Sequence, residues 1–345
     1  AEFTAPNRQK TLIDGFYYNT NTWKVRFSPT QEGNWKWSLK FVTPSSRFAD
    51  QGSFSVITST YPGFVRRHPT NPFRLVFDNG ALFKAIGIGD CINDVDKNGN
   101  PLDNWGFDGG LRSSTAGNPD YGWIVDMSTY MNAYGASGAK FNLFRWSVDN
   151  CAFKLWDTIS TSNNRYLVQE GTWGDQLVQA LRNNGFRINM AIFGFDVPFL
   201  RKESLATEAE KDAVRRYINY VVARYGAYVD IWELMNEAPP WPVDTFPKNI
   251  WNDWLTFASD YLRSIDSYKH LISTNWERGD FAKIDIQSPH WYETESELVS
   301  DLRTVEMINS SKTWNKPVIF GEQGNSVCNW DDHSALRMRI RSWTS

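Results

Sequence analysis

The sequence predicts an α/β protein: a (β/α)8 barrel, preceded by a small antiparallel β-sandwich-like domain. Three observations carry this reading. The chain has 345 residues, enough for one barrel of about 250 residues and a small companion. Before residue 60, short runs that alternate apolar with polar residues are separated by turns, the pattern of antiparallel strands. From about residue 76, strand-length apolar runs alternate with longer helical stretches, the rhythm of parallel βα units.

The front segment comes first. Thr22-Trp-Lys-Val-Arg-Phe27 places Trp23, Val25 and Phe27 on one face, and the turn Ser28–Gly33 follows. Asn34–Val42 alternates again, and Gly52–Ile57 is a third such run. Sixty residues are thin for a complete sandwich, so its first strands are expected to be missing. The division that follows is 1–60 for this domain, 61–78 for a connection and 79–345 for the barrel. Its strands are expected at Leu82–Ile88, Phe141–Trp146, Arg187–Phe193, Asp230–Leu234, Leu271–Thr274, Ile284–Ser288 and Val318–Gly321. Helices fit between them at Asp126–Ala136, Asp175–Asn183, Ala206–Arg224, Asn249–Ile265 and Glu295–Ile308, with Asp332–Trp343 after the seventh strand. Thr207-x-x-Glu210 suits the start of the third of these. Only about ten residues separate strands five and six, so that helix is expected to be vestigial. Seven strands are one short of a closed barrel, so the gap is expected to be closed by a segment beyond the end of this sequence, the favoured reading, or by a partner chain or a helix or loop of this chain.

Composition excludes several classes of function. A formal net charge of −3 gives no broad attraction to nucleic acid or an anionic membrane. No apolar run approaches the roughly 18 residues that span a bilayer. Three cysteines, Cys91, Cys151 and Cys328, cannot build a disulfide framework and are spaced too far apart for a zinc motif. A bond between Cys91 and Cys151 is geometrically conceivable, since both follow neighbouring strands. The aromatic content stands out, with 17 Trp, 14 Tyr and 22 Phe. Several tryptophans, Trp105, Trp123, Trp173, Trp241, Trp276 and Trp330, lie in polar, Gly/Asn-rich surroundings. Flat indole faces suit the axial C–H face of a sugar ring, so the composition hints at carbohydrate.

Two segments carry the chemistry. In Ile231-Trp-Glu-Leu-Met-Asn-Glu-Ala-Pro-Pro240 an apolar strand ends in Asn236-Glu237. In Lys316-Pro-Val-Ile-Phe-Gly-Glu-Gln-Gly324 another ends in Gly321-Glu322. The carboxyl ends of parallel barrel strands form the active face, so these two glutamates should meet across the barrel mouth. A lone glutamate at a strand end is usually a solvated loop residue or half of an ion pair. Two of them, at strands four and seven, with Asn before the first, make a catalytic pair the better reading.

Together these segments resemble glycoside hydrolase clan A, which includes the family-five cellulases and mannanases. That clan carries Asn-Glu at the end of strand four as acid/base and Glu at the end of strand seven as nucleophile, matching Asn236-Glu237 and Glu322. Phe141-Asn-Leu-Phe-Arg145 is similar to its second strand, and Ser288-Pro-His-Trp-Tyr292 to its sixth, with a His-x-Tyr pair. The likeness covers about residues 80–345; the front segment resembles an uncharacterised β-sandwich domain found before such barrels. The third strand departs from the pattern, since Ile188–Phe193 runs into Gly-Phe-Asp without the histidine many relatives carry there. The resemblance implies a retaining hydrolase of β-linked poly- or oligosaccharides that needs no metal or organic cofactor, located outside the cell or in the periplasm. It implies Arg145 and Tyr292 beside Glu322, Asn236 on the sugar 2-hydroxyl, and His290 on a hydroxyl or a neighbouring side chain. Trp241, Trp276 and Trp330, after strands four, five and seven, would be sugar platforms. Glu233 shares the strand and side of Glu237 and is expected to be structural, paired with Arg145. A catalytically inactive relative that only binds carbohydrate is the competing reading.

Overall fold

The computed structural model describes residues 1–89, 92–95, 101–108, 111–112, 120–121, 124–148, 153–162, 165–237, 246–275, 278–292, 297–324 and 333–344. The chain opens with β1 (Glu2–Thr4), β2 (Lys10–Leu12), β3 (Phe16–Asn19), β4 (Thr22–Lys24), β5 (Gly33–Val42) and β6 (Arg47–Val56). An antiparallel sheet runs in the order β2-β1-β5-β6, and β3 and β4 form a separate hairpin. The alternation of β5 matches a strand with one covered face: its ten residues pair with β6 from Gly33↔Val56 to Val42↔Arg47, and Trp35 is buried beneath them. β1, β2 and β3 carry too little alternation to be recognised in the sequence, and the run expected to reach Phe27 ends as a strand at Lys24.

This sheet packs on the rest of the chain through Phe3, Ala5, Ile13 and Trp35, which share a cluster with Phe64 and Tyr268. Two further ties reinforce the contact. The Ser28 amide donates to the Tyr268 hydroxyl at 2.7 Å. Arg26 and the fully buried Arg224 both donate to the Asp175 carboxylate, Arg26 through Nη1 at 2.8 Å and Arg224 through Nε at 2.9 Å.

Next come β7 (Val65–Arg67), β8 (Leu75–Phe77) and β9 (Leu82–Phe83), a three-stranded antiparallel sheet within the stretch read from the sequence as a connection and the start of the first barrel strand. Val65, Leu75 and Phe83 pack against Leu143, Ile231, Leu271 and Ile286 from the amino-terminal ends of the parallel strands. The small sheet is therefore an apolar floor under the parallel sheet.

The parallel strands begin with β10 (Gly87–Gly89). The run Leu82–Ile88, expected as one strand, is two, β9 and β10, because the Asn142 side chain holds the link between them. Its Oδ1 accepts from the Ile86 amide and its Nδ2 donates to the Lys84 carbonyl, both at 2.8 Å. An excursion of short antiparallel strands follows: β11 (Ile92–Val95), β12 (Pro101–Asp108), β13 (Leu111–Arg112), β14 (Asp120–Tyr121) and β15 (Ile124–Val125). None of them joins the parallel sheet.

After that the expected alternation holds: α1 (Met127–Tyr134), β16 (Leu143–Ser147), α2 (Val168–Asn183), β17 (Arg187–Phe193), α3 (Glu208–Tyr225), β18 (Ile231–Met235), α4 (Lys248–Ile265), β19 (Leu271–Thr274), β20 (Ile286–Gln287), β21 (His290–Tyr292), α5 (Glu297–Lys312), β22 (Glu322–Gly324) and α6 (Ser334–Thr344). The parallel order is β10-β16-β17-β18-β19-β20. A parallel bridge Gln287↔Val318 and the β21–β22 pairing carry the sheet on to a seventh strand position. Among the described residues there is no eighth, and between β19 and β20 there is no helix.

The helix starts show local chemistry at work. Thr207 and Glu210 form the expected capping box on α3. Helix α2 begins seven residues earlier than the sequence suggests, at Val168 rather than Asp175. Gly171 and Gly174 look like breakers, but each leaves room for a neighbour: a Cβ on Gly171 would lie 2.7 Å from the Arg224 guanidinium, and one on Gly174 would lie 2.4 Å from the Tyr225 hydroxyl. Trp105 and Trp173, noted in the sequence for their polar surroundings, pack in or against the main core instead, and the Trp105 indole donates to Gln176 at 3.0 Å. Trp123 and the three cysteines lie outside the described residues.

Candidate active site

The parallel strands deliver a polar cluster to their carboxyl ends. Arg145 comes from β16, Glu233 from within β18, Asn236 and Glu237 from just past its end, His290 and Tyr292 from β21, and Glu322 from the start of β22. β21 and β22 pair with His290 opposite Glu322, which sets that pair side by side. The sequence residues Arg145, Asn236, Glu237, His290, Tyr292 and Glu322 thus meet in one place. Trp241, Trp276 and Trp330 lie outside the described residues.

Arg145 is the hub. Its Nε and Nη2 donate to the two carboxylate oxygens of Glu233 at 2.9 and 2.5 Å, Nη2 also reaches the Asn236 side-chain oxygen at 2.5 Å, and Nη1 reaches Glu322 Oε1 at 2.8 Å. Asn189 on β17 donates to Glu233 as well, at 3.3 Å. Burial works against the guanidinium charge, but the attraction and hydrogen bonds of Glu233, and then of Glu322, outweigh it and hold its pKa above the ordinary arginine value.

The two candidate catalytic carboxylates have different neighbours. Glu322 receives Arg145 on Oε1 and the Tyr292 hydroxyl on Oε2. Glu237 faces His290, whose Nδ1 lies 2.8 Å from Glu237 Oε1 and 3.6 Å from Glu322 Oε1. One oxygen of each glutamate and a nitrogen of His290 all lie within 4.8 Å of one another. That trio has the donor set of a divalent-cation site. Both Glu322 oxygens already accept hydrogen bonds, however, so a cation there would compete with a buried guanidinium.

Two backbone features shape the site. Glu237 has φ +37°, in the left-handed region that non-glycine residues seldom adopt, so its side chain is aimed by a strained turn. Gly321 precedes Glu322, and a Cβ there would lie 2.5 Å from Ser288 Oγ and 2.7 Å from His290 Nε2. The sequence marks Gly321 only as part of a strand end; that it makes room for His290 emerges from the packing. An apolar cavity of about 720 Å³ lies elsewhere, on the amino-terminal sheet between Trp23, Phe27, Trp37 and Phe54. The chemistry is at the strand ends, where the ionisable groups converge.

Residues 1–42 match a family described as a domain of unknown function, DUF5060. No curated protein matches the chain. Among solved structures, a candidate glycoside hydrolase from Bacteroides vulgatus ATCC 8482 aligns over 92% of this chain and 58% of its own, with 16% identity and a TM-score of 0.57. A glycoside hydrolase family 5 protein from the same organism aligns over 82% of this chain and 60% of its own, with 14% identity and a TM-score of 0.51. The chain therefore spans less than two thirds of the length of these two proteins. The class defined at this level is one of fold: an α/β chain with the parallel-strand architecture of barrel-type glycoside hydrolases, preceded by antiparallel sheets.

Proposed function

We propose that the protein is a retaining glycoside hydrolase that cleaves β-linked poly- or oligosaccharides, with Glu322 as nucleophile and Glu237 as acid/base. One observation supports this above the rest: two carboxylates from separate strands with an oxygen of each within 4.8 Å of the other. Retaining enzymes hold their two carboxyl groups about 5–5.5 Å apart, whereas inverting enzymes leave about 6.5–9.5 Å for a water molecule. Glu322 is the one whose negative charge has a cation against it, which suits the group that attacks.

In the first step Glu322 forms a bond to the anomeric carbon as the bond to the leaving oxygen breaks, and Glu237 gives that oxygen its proton. In the second, Glu237 takes a proton from water, the water oxygen bonds to the anomeric carbon, and the ester to Glu322 breaks. Asn236, next to Glu237 in the chain and sharing Arg145 with Glu322, is assigned to the sugar 2-hydroxyl. His290 orients Glu237, and Tyr292 orients Glu322. Trp241, Trp276 and Trp330 remain proposed sugar platforms. The division at 60 and 78 and a location outside the cell or in the periplasm belong to the same reading.

The test is turnover on a panel of β-linked polysaccharides and aryl β-glycosides. Glu322→Ala and Glu237→Ala should each lower kcat by roughly 10³-fold or more while the protein stays folded. Azide should restore bond cleavage in Glu322→Ala and give a glycosyl azide of inverted configuration, because a small anion can enter from the face the carboxylate left. A Glu322→Ala variant with near-normal kcat removes the assignment, and a folded wild type with no turnover on the panel leaves the carbohydrate-binding alternative.

A further inference from the structure

The contacts of Arg145 form a chain that starts in the interior and ends in the cleft. Glu233, fully buried, grips the guanidinium through both oxygens, at 2.9 and 2.5 Å, and is itself held by Asn189 at 3.3 Å. The same guanidinium reaches the Asn236 side-chain oxygen at 2.5 Å and Glu322 at 2.8 Å. Arginine can only donate, so the amide of Asn236 must turn its oxygen to Arg145 and its NH2 the other way. Asn236 is fully buried, and among the described residues that NH2 has no hydrogen-bond partner. A buried donor left in this state is costly unless something outside the protein accepts from it.

We infer that Glu233 is a positioning residue: by clamping Arg145 it fixes which end of the Asn236 amide meets the substrate, and so makes the site selective for a sugar with a hydroxyl next to its anomeric carbon. This rests on the glycosidase reading. Asn236 and Glu322 share one guanidinium, so a sugar whose anomeric carbon meets Glu322 carries its 2-hydroxyl, one carbon further on, towards that amide. The hydroxyl oxygen accepts from the NH2, a contact that strengthens in the transition state. Without the buried carboxylate, Arg145 has nothing to hold Nε and Nη2 in place. It is then drawn to Glu322, the Asn236 oxygen is released, and the amide is free to turn. If Glu233 merely neutralised a buried charge, its loss would weaken activity equally on every substrate.

The experiment compares kcat/KM for an aryl glycoside that the wild type cleaves with that for its 2-deoxy counterpart, in wild type, Glu233→Gln and Glu233→Asp. The expected result is that the ratio of the two falls about tenfold or more in Glu233→Gln, with kcat on the hydroxyl-bearing substrate dropping by more than KM rises. Glu233→Asp keeps the charge and should lose part of the selectivity, about threefold. Equal losses on both substrates in Glu233→Gln overturn the inference. If that variant does not fold, an unchanged ratio in Glu233→Asp overturns it. A crystal structure of either folded variant gives a readout independent of turnover: Arg145 should have left the Asn236 oxygen, with a separation beyond about 3.5 Å. An unmoved Arg145 contradicts the inference. A wild type that cleaves no glycoside sinks the glycosidase reading alone, since the contact can still be measured.

Discussion

Gly321→Ala tests whether space beside His290 matters to the site. The added Cβ would lie 2.5 Å from Ser288 Oγ, 2.7 Å from His290 Nε2 and 2.9 Å from His290 Cδ2. Ordinary contact begins at about 3.4 Å, so these atoms must move by roughly 0.5–0.9 Å. The Ser288 hydroxyl can rotate aside. The His290 ring cannot easily do so, because its side chain is 1% exposed and its backbone is held by the pairing of β21 with β22. The ring is therefore pushed relative to Glu237 and Glu322, now 2.8 and 3.6 Å from its Nδ1. Overpacking of this size costs about 1–3 kcal/mol. Misplacing a group in a catalytic cluster by about 1 Å costs roughly 10²-fold in rate. The assay pairs urea unfolding with kcat on a cleavable glycoside. Gly89→Ala is the control, since its Cβ would meet nothing nearer than 3.6 Å. A Gly321→Ala protein with wild-type stability and wild-type kcat would refute the reasoning.

Other substitutions probe the frame around the site. Arg145→Leu leaves the fully buried Glu233 without its cation and should cost about 3–5 kcal/mol in urea unfolding, while Arg145→Leu/Glu233→Leu should recover part of that loss. Arg26→Leu removes one of two arginines from Asp175 and should destabilise by about 1–3 kcal/mol, a loss that Asp175→Asn in the same chain should not add to in full. Glu210 is held at a pKa of about 2, below its ordinary 4.5, first by the Arg201 hydrogen bond and then by the Thr207 amide. A depressed carboxylate adds stability above its unfolded pKa and loses it as pH falls through the folded one. The stability gap between wild type and Glu210→Gln should therefore be constant from neutral pH down to about 5 and should close between 4.5 and about 2. A gap that stays level across that window counts against the assignment.

The sequence was most informative where periodicity and chemistry coincided. The runs at Arg187–Phe193 and Leu271–Thr274 became strands with the expected ends, and α3 starts where Thr207 and Glu210 cap it. It failed where the reason for a residue lies across space. The start of α2 is expected at Asp175 and lies at Val168, and nothing local reveals that Arg224 and Tyr225 press on Gly171 and Gly174 within the added turns. The split between β9 and β10 depends on Asn142, 56 and 58 residues beyond the Ile86 and Lys84 it bonds. The convergence of Arg145, Asn236, Glu237, His290, Tyr292 and Glu322 could be foreseen from strand-end motifs. The direction in which the Asn236 amide points could not, because it is fixed by hydrogen bonds from a different strand.

The floor of β7, β8 and β9 covers one end of the interior. Among the described residues Val65, Leu75 and Phe83 pack beneath the parallel strands, and Glu233, Asn189 and Ser273 are buried above them. At the other end Arg145 leads from Glu233 to Glu322 and Asn236. A ligand resting on those two residues then acts as a stopper as well as a guest. It closes off the charged interior, and the attraction between Arg145 and its carboxylates grows stronger as water is shut out.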